Sequence, residues 1–215
     1  MNATDIALAL WTWTPYLLGG FGWNLLIALV AMLVGTLLGA VLAAMRLASR
    51  PGWVRLAQVL TELTRNVPTI VFQFYLAVML PGEWAVPFTG WVLHIAPWLK
   101  AALALAVAVV GFTSDNLAHA LTLWRRGEHA AALLFLPNWT SYLLIIVIAS
   151  STASIIGVSE LIRRGNTVVN ASADSSLMLP LYFYASLFFL ISCYPLTRCM
   201  QWVRNTMQQR LTTTA

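Results

Sequence analysis

Charge is what this sequence has least of. Asp, Glu, Lys and Arg supply 9% of its 215 residues, against about 25% in an ordinary soluble domain. A soluble fold of this size is excluded, because it would have almost no charged surface. The net charge of +5 comes without basic clusters, which excludes a nucleic-acid face. Cysteine is nearly absent: Cys193 and Cys199 lie six apart, off one helical face, so neither a disulfide nor a metal pair is expected. His94, His119 and His129 fall on different elements. There is no Gly-rich phosphate loop, paired carboxylate, metal-ligand spacing or Ser/His/Asp arrangement, so no covalent chemistry, metal or cofactor is expected. The opening residues lack a basic stretch and a small-residue cleavage site, which argues against a removable signal.

What remains is hydrocarbon. Apolar side chains make up 60% of the chain and mean hydropathy is +0.79, the composition of an integral membrane protein. Crossing roughly 30 Å of lipid takes about 20 apolar residues. Stretches 23–45, 98–123, 133–156 and 177–203 reach that length, and 67–81 approaches it with its flanks. Arg46, Arg50 and Arg55 follow the first stretch, Arg125, Arg126 and His129 the third, and Arg204 and Arg210 the fifth. Basic residues collect on cytoplasmic loops, so the N-terminus is placed outside and the C-terminus in the cytoplasm. The loop 81–98 has no basic residue and reads as an outer loop with a short amphipathic helix. Residues 157–176, with Glu160, Arg163, Arg164 and Asp174, lie at the outer side or dip inward, and their arginines dissent from the charge rule. The expected fold is all-α, about five transmembrane helices in one transmembrane domain over 1–215. It divides into an outer N-terminal segment (1–22), a helical core (23–204) and a cytoplasmic tail (205–215).

Polar residues inside such spans are costly and are functional candidates by default. Gln73, Asp115 and Asn116 qualify, as does the hydroxyl patch of Ser151, Thr152 and Ser154 before Gly157. Asp115 reads either as part of a transport path or as an ion-pair partner joining helices. Gln73 reads equally as an interhelical hydrogen bond, and hydroxyls in a helix usually bond their own preceding carbonyls.

Two segments carry a resemblance. Residues 62–81, ELTRNVPTIVFQFYLAVMLP, and 140–161, TSYLLIIVIASSTASIIGVSEL, resemble two signatures, in order, of permease subunits of polar amino-acid ABC importers, the glutamate/aspartate, histidine and glutamine branch. The resemblance covers nearly all of 23–204. It implies a type I importer permease fold in the bacterial inner (plasma) membrane, importing a polar amino acid by ATP-driven alternating access. It also implies partners: an ATP-binding cassette ATPase dimer, a second permease subunit, and a periplasmic or anchored substrate-binding protein. Gln73, Asp115, Asn116, Ser151, Thr152 and Ser154 would line the substrate pathway.

The family's cytoplasmic coupling loop is shortened here to WRRGEHAAALLFLPNW, residues 124–139. Gly127, Glu128, His129, Ala130 and Ala131 resemble its opening, and the stub carrying Arg125, Arg126, Gly127, Glu128 and His129 would touch the ATPase, unless Glu128 is only a solvated loop charge. Glu62 and Arg65 lie on the same side and would share that contact, unless they form only an i,i+3 surface pair. Where the family commonly has Asn-Glu, this chain has Ser141 and Tyr142, and Ile148 replaces a lysine. These departures suit the divergent half of a heterodimeric permease; the alternative is a permease-derived scaffold or regulatory subunit that transports nothing.

Overall fold

A computed structural model describes residues 2–85 and 91–213. Helix α1 (Ala3–Arg46) is continuous through the segment expected to stand apart as 1–22. At 1.5 Å per residue its 44 residues extend about 66 Å, twice the hydrocarbon thickness. Helices α2 (Pro51–Asn66) and α3 (Thr69–Met79) replace a continuous second span. The break is local chemistry: Pro68 forces its predecessor out of the helical region, and Val67 is extended at φ −90°, ψ 126°. Strands β1 (Glu83–Ala85) and β2 (Val92–His94) pair antiparallel with Glu83 opposite His94. This hairpin stands where an amphipathic helix was expected in the outer loop, because β1 and β2 satisfy each other's backbone groups; residues 86–90 lie outside the described residues.

Helix α4 (Pro97–Arg125) is followed by the one-turn α5 (His129–Ala132) and by α6 (Phe135–Ala149), which tightens into a 3-10 turn over Ser150–Ser154. Helix α7 (Leu161–Ser172) and a 3-10 turn (Ser175–Leu177) lead into α8 (Met178–Thr213), which runs on through most of the expected tail. Among the described residues four helices are long and apolar enough to cross a membrane. The second span expected over 67–81 is instead the short apolar α3, 11 residues long, preceded by the charged α2.

Helices α1 and α4 run side by side in the same direction. The rings of Trp23 and Trp98 meet at one end, 5.8 Å between centroids, and Arg46 meets Asp115 at the other. Small residues permit this approach: Ala101, Ala102, Ala104, Ala106 and Ala108 of α4 are buried, and Gly35 and Gly39 of α1 face its backbone. Ile27, Ala31, Leu105, Val109, Ile146 and Val147 form the main core with α6. A second cluster, Leu17, Phe21, Leu161, Val168 and Leu181, packs α7 and the start of α8 on the N-terminal half of α1. The end where α1 and α4 finish carries Arg46, Arg65, Arg125 and Arg126 and is the inner end.

Candidate functional site

A polar seam runs through the bundle from inner to outer end. At the inner end Asp115 of α4 is gripped twice: Arg46 Nη1 donates to Oδ1 at 2.9 Å and Arg65 Nη1 to Oδ2 at 2.6 Å. One carboxylate thus ties α1, α2 and α4. Beside this clamp, the buried Thr61 and Ser114 hydroxyls bond at 2.7 Å. Thr61 Oγ1 already donates to the Ala57 carbonyl, so Ser114 is the donor of this pair. The pair at Asp115 is partly exposed, so it stabilises little. A double-mutant cycle of Asp115→Ala with Arg65→Ala is expected to give a coupling of about 0.2–1 kcal/mol, read from detergent melting curves.

Above the clamp, the α2/α3 break opens a cavity of about 380 Å³. Arg65, Pro68, Thr69, Asn116, Phe112 and Tyr142 line it, and the last two rings stack 3.9 Å apart. Asn116 donates to the Phe112 carbonyl at 2.9 Å. Further out, Gln73 of α3 is 1% exposed; its Oε1 accepts from Thr152 Oγ1 at 2.8 Å, while its Nε2 has no partner. An unmet buried amide is expensive, since such groups ordinarily find a partner.

At the outer end Asn24 of α1 is fully buried and fully used. Its Nδ2 donates to Ser150 Oγ and to Glu160 Oε2, both at 3.0 Å, and its Oδ1 accepts from Leu161 N at 3.1 Å. Glu160 caps α7, accepting from Ile162 N and Arg163 N. Gly157 makes the preceding turn at φ +95°, a conformation other residues adopt only with strain. The buried Lys100 near the start of α4 donates to the Ala77 and Leu80 carbonyls at 3.3 and 2.5 Å, closing the end of α3. Lys100→Met is expected to cost about 1–2 kcal/mol by leaving those carbonyls unmet, read as a lower melting midpoint.

The residues expected on the substrate pathway therefore do not converge on one point. Asn116 lines the cavity, and Gln73 and Thr152 bond each other across α3 and the 3-10 turn. Asp115 sits in the inner clamp, and Ser151 and Ser154 donate to the carbonyls three residues back, Ile148 and Ser151. Of the expected coupling residues, Arg125, Arg126, Gly127, Glu128 and His129 are exposed around α5, with His129 against Trp124 at 4.3 Å. Glu62 is exposed, and Arg65 bonds Asp115, so the alternative i,i+3 pair with Glu62 does not form. Asn24, Lys100 and Arg46 were missed. Asn24 is a lone amide at the head of an apolar run, and that isolation was its only signal.

Fold and seam together define a multi-pass helical membrane protein with polar groups bonded between its helices. No family model matches the chain. It is 31% identical over 141 residues to the glutamate/aspartate import permease protein GltK of Escherichia coli O6:H1 and of O157:H7, covering 62% of this chain and 60% of each relative. The chain thus spans less than two thirds of their length. It is 24% identical over 202 residues to the probable glutamine ABC transporter permease protein GlnP of Bacillus subtilis, covering 85% of this chain and 89% of that one. A crystal structure of an amino acid ABC transporter with histidines superposes with a TM-score of 0.75 at 16% identity, covering 93% of this chain and 97% of the other. The chain is homologous to polar amino-acid ABC permeases, and its fold is that of a type I importer permease. It is a multi-pass protein of the bacterial inner (plasma) membrane.

Proposed function

We propose that the chain is the membrane-spanning subunit of an ABC importer for a polar amino acid. Similarity to permeases along most of the chain carries this reading, and the interhelical polar seam supports it. Gln73, Asn116 and Thr152 belong to the path in this reading, with the unmet Gln73 amide the polar group freest to meet a substrate. Asp115 acts as the strut of the inner gate, since α1, α2 and α4 must separate or slide there for the cavity to open inward. ATP hydrolysis belongs to separate ATPase subunits, and a binding protein delivers substrate to the outer end. Arg125, Glu128 and His129 on the α5 turn, with Glu62 on α2, form the docking surface for the ATPase. So short a turn is a small lever, and a second, intact permease subunit would share the load in a heterodimer.

The test is reconstitution of the full chain with its co-purifying partners in proteoliposomes, following ATP-dependent uptake of labelled glutamate, aspartate or glutamine. A stable complex without any ATPase, or uptake indifferent to ATP, overturns the reading in favour of a scaffold. Asp115→Asn is expected to lower uptake severalfold while the protein still folds, because it weakens the strut without removing packing; unchanged uptake would leave Asp115 a structural pair only.

A further inference from the structure

A second cavity, of about 360 Å³, opens at the inner end between the last turn of α1, the middle of α2 and the last turns of α4. Its polar lining is Arg46, Gln58, Asp115, His119, Thr122 and Arg126. Two guanidinium groups and an imidazole meet one carboxylate there, and that carboxylate is already taken, one oxygen by Arg46 and the other by Arg65. Arg126, Gln58 and His119 have no side-chain hydrogen-bond or ion-pair partner among the described residues. Glu62 and Glu128 do not line the cavity. The positive charge is therefore uncompensated by protein.

Depth says what compensates it. Trp53 on α2 and Trp124 on α4 are 46% and 50% exposed, and half-exposed tryptophans at the ends of membrane helices sit at headgroup level. The remaining wall is apolar, Leu47, Ala118 and Leu123, which suits the glycerol and first methylenes of a lipid better than a hydrated ion. We propose that this cavity binds the phosphate of an anionic phospholipid of the inner leaflet, with Arg126 and Arg46 supplying charge and Gln58 and His119 further donors. A bound headgroup would bridge α1, α2 and α4 beside the Asp115 clamp, so membrane composition would bear on the same helices that the clamp joins. The proposal does not depend on the transport reading.

The test is native mass spectrometry of the full chain in detergent, titrated with phosphatidylglycerol or with zwitterionic phosphatidylcholine. Wild type is expected to retain phosphatidylglycerol at concentrations where phosphatidylcholine is lost. Arg126→Gln is expected to weaken that retention about tenfold, the loss of one charge-assisted hydrogen bond. Gln58→Ala, on a different helix, is expected to weaken it about threefold, and so tests the site even where Arg126→Gln folds poorly. Arg204→Gln on α8 removes the same charge outside the cavity and is expected to change nothing. Inorganic phosphate at millimolar concentration is a separate arm: displacement of phosphatidylglycerol by it would assign the cavity to a free anion instead. Equal retention by Arg126→Gln and wild type, an equal loss in Arg204→Gln, or no preference over phosphatidylcholine would overturn the proposal.

Discussion

Truncating Glu160 to alanine is expected to lower stability by on the order of 2–4 kcal/mol and to loosen the outer ends of three segments at once. Glu160 is fully buried yet accepts from Ile162 N, Arg163 N and Asn24 Nδ2. Alanine leaves the two amides at the start of α7 without an acceptor, each a loss of about 1–3 kcal/mol where water cannot replace it. It also removes the cap of α7, worth about 1 kcal/mol. Asn24 keeps Ser150 and Leu161 N, so the network is weakened rather than abolished. A melting midpoint within error of wild type would show that water enters and satisfies these groups.

Glu160 lies between the span ending at Ser154 and helix α7, outside the spanning segments. Burial pushes its carboxyl above the ordinary value, while the amides of Arg163 and Ile162 and the Asn24 side chain pull it back. The folded value is thus the higher one, and the folded state holds the proton more tightly than the unfolded state does. The stability gained from that proton is complete below the unfolded pKa and is lost as pH rises through the folded pKa. Wild type is expected to melt higher in mild acid than at neutral pH. Glu160→Gln, which cannot titrate, is expected to flatten that slope although its midpoint is lower; an unchanged slope would assign the pH dependence to another group.

Sequence made the long crossings and their direction legible, because lipid imposes length and the inner leaflet sorts arginine; both can be read along one dimension. Pro68 carries the stereochemistry of the break before it, yet that segment reads as one span, and the cavity at the joint depends on how α2 and α3 pack. What stayed hidden depends on which helices approach. Nothing along the chain links Asp115 to Arg46 and Arg65, since these partners lie 69 and 50 residues away. Lys100 gave no signal along its apolar run because the carbonyls it closes belong to another helix. Ser151, Thr152 and Ser154 all follow the helix rule that hydroxyls bond back to their own carbonyls, and the additional contact of Thr152 with Gln73 exists only because α3 comes alongside.

Valine at Gly35 is expected to do the most damage of any single change considered, about 3 kcal/mol or more, at the top of the range for overpacked cores. A Cβ there would collide with Val109 Cβ and stand 2.7 Å from the Ala106 carbonyl oxygen. Backbone cannot move aside, and a valine in a helix has little rotamer freedom, so α1 and α4 must part. The separation would not stay local. Gly39, one turn on, holds α1 equally close to Thr113 and the Val110 carbonyl, and the Arg46–Asp115 contact lies two turns beyond. The measurement is the yield and melting of monodisperse protein in mild detergent. Gly22→Val is the control, since nothing lies within 4 Å of a Cβ built at Gly22, and it is expected to behave as wild type. Gly35→Ala with Val109→Gly should recover part of the loss of Gly35→Ala alone, because the second change removes the Cβ that the first one strikes. The Ala106 carbonyl stays in place, so the recovery is partial. Full tolerance of Gly35→Val would mean that large side chains, and not this glycine face, set the spacing of the two helices.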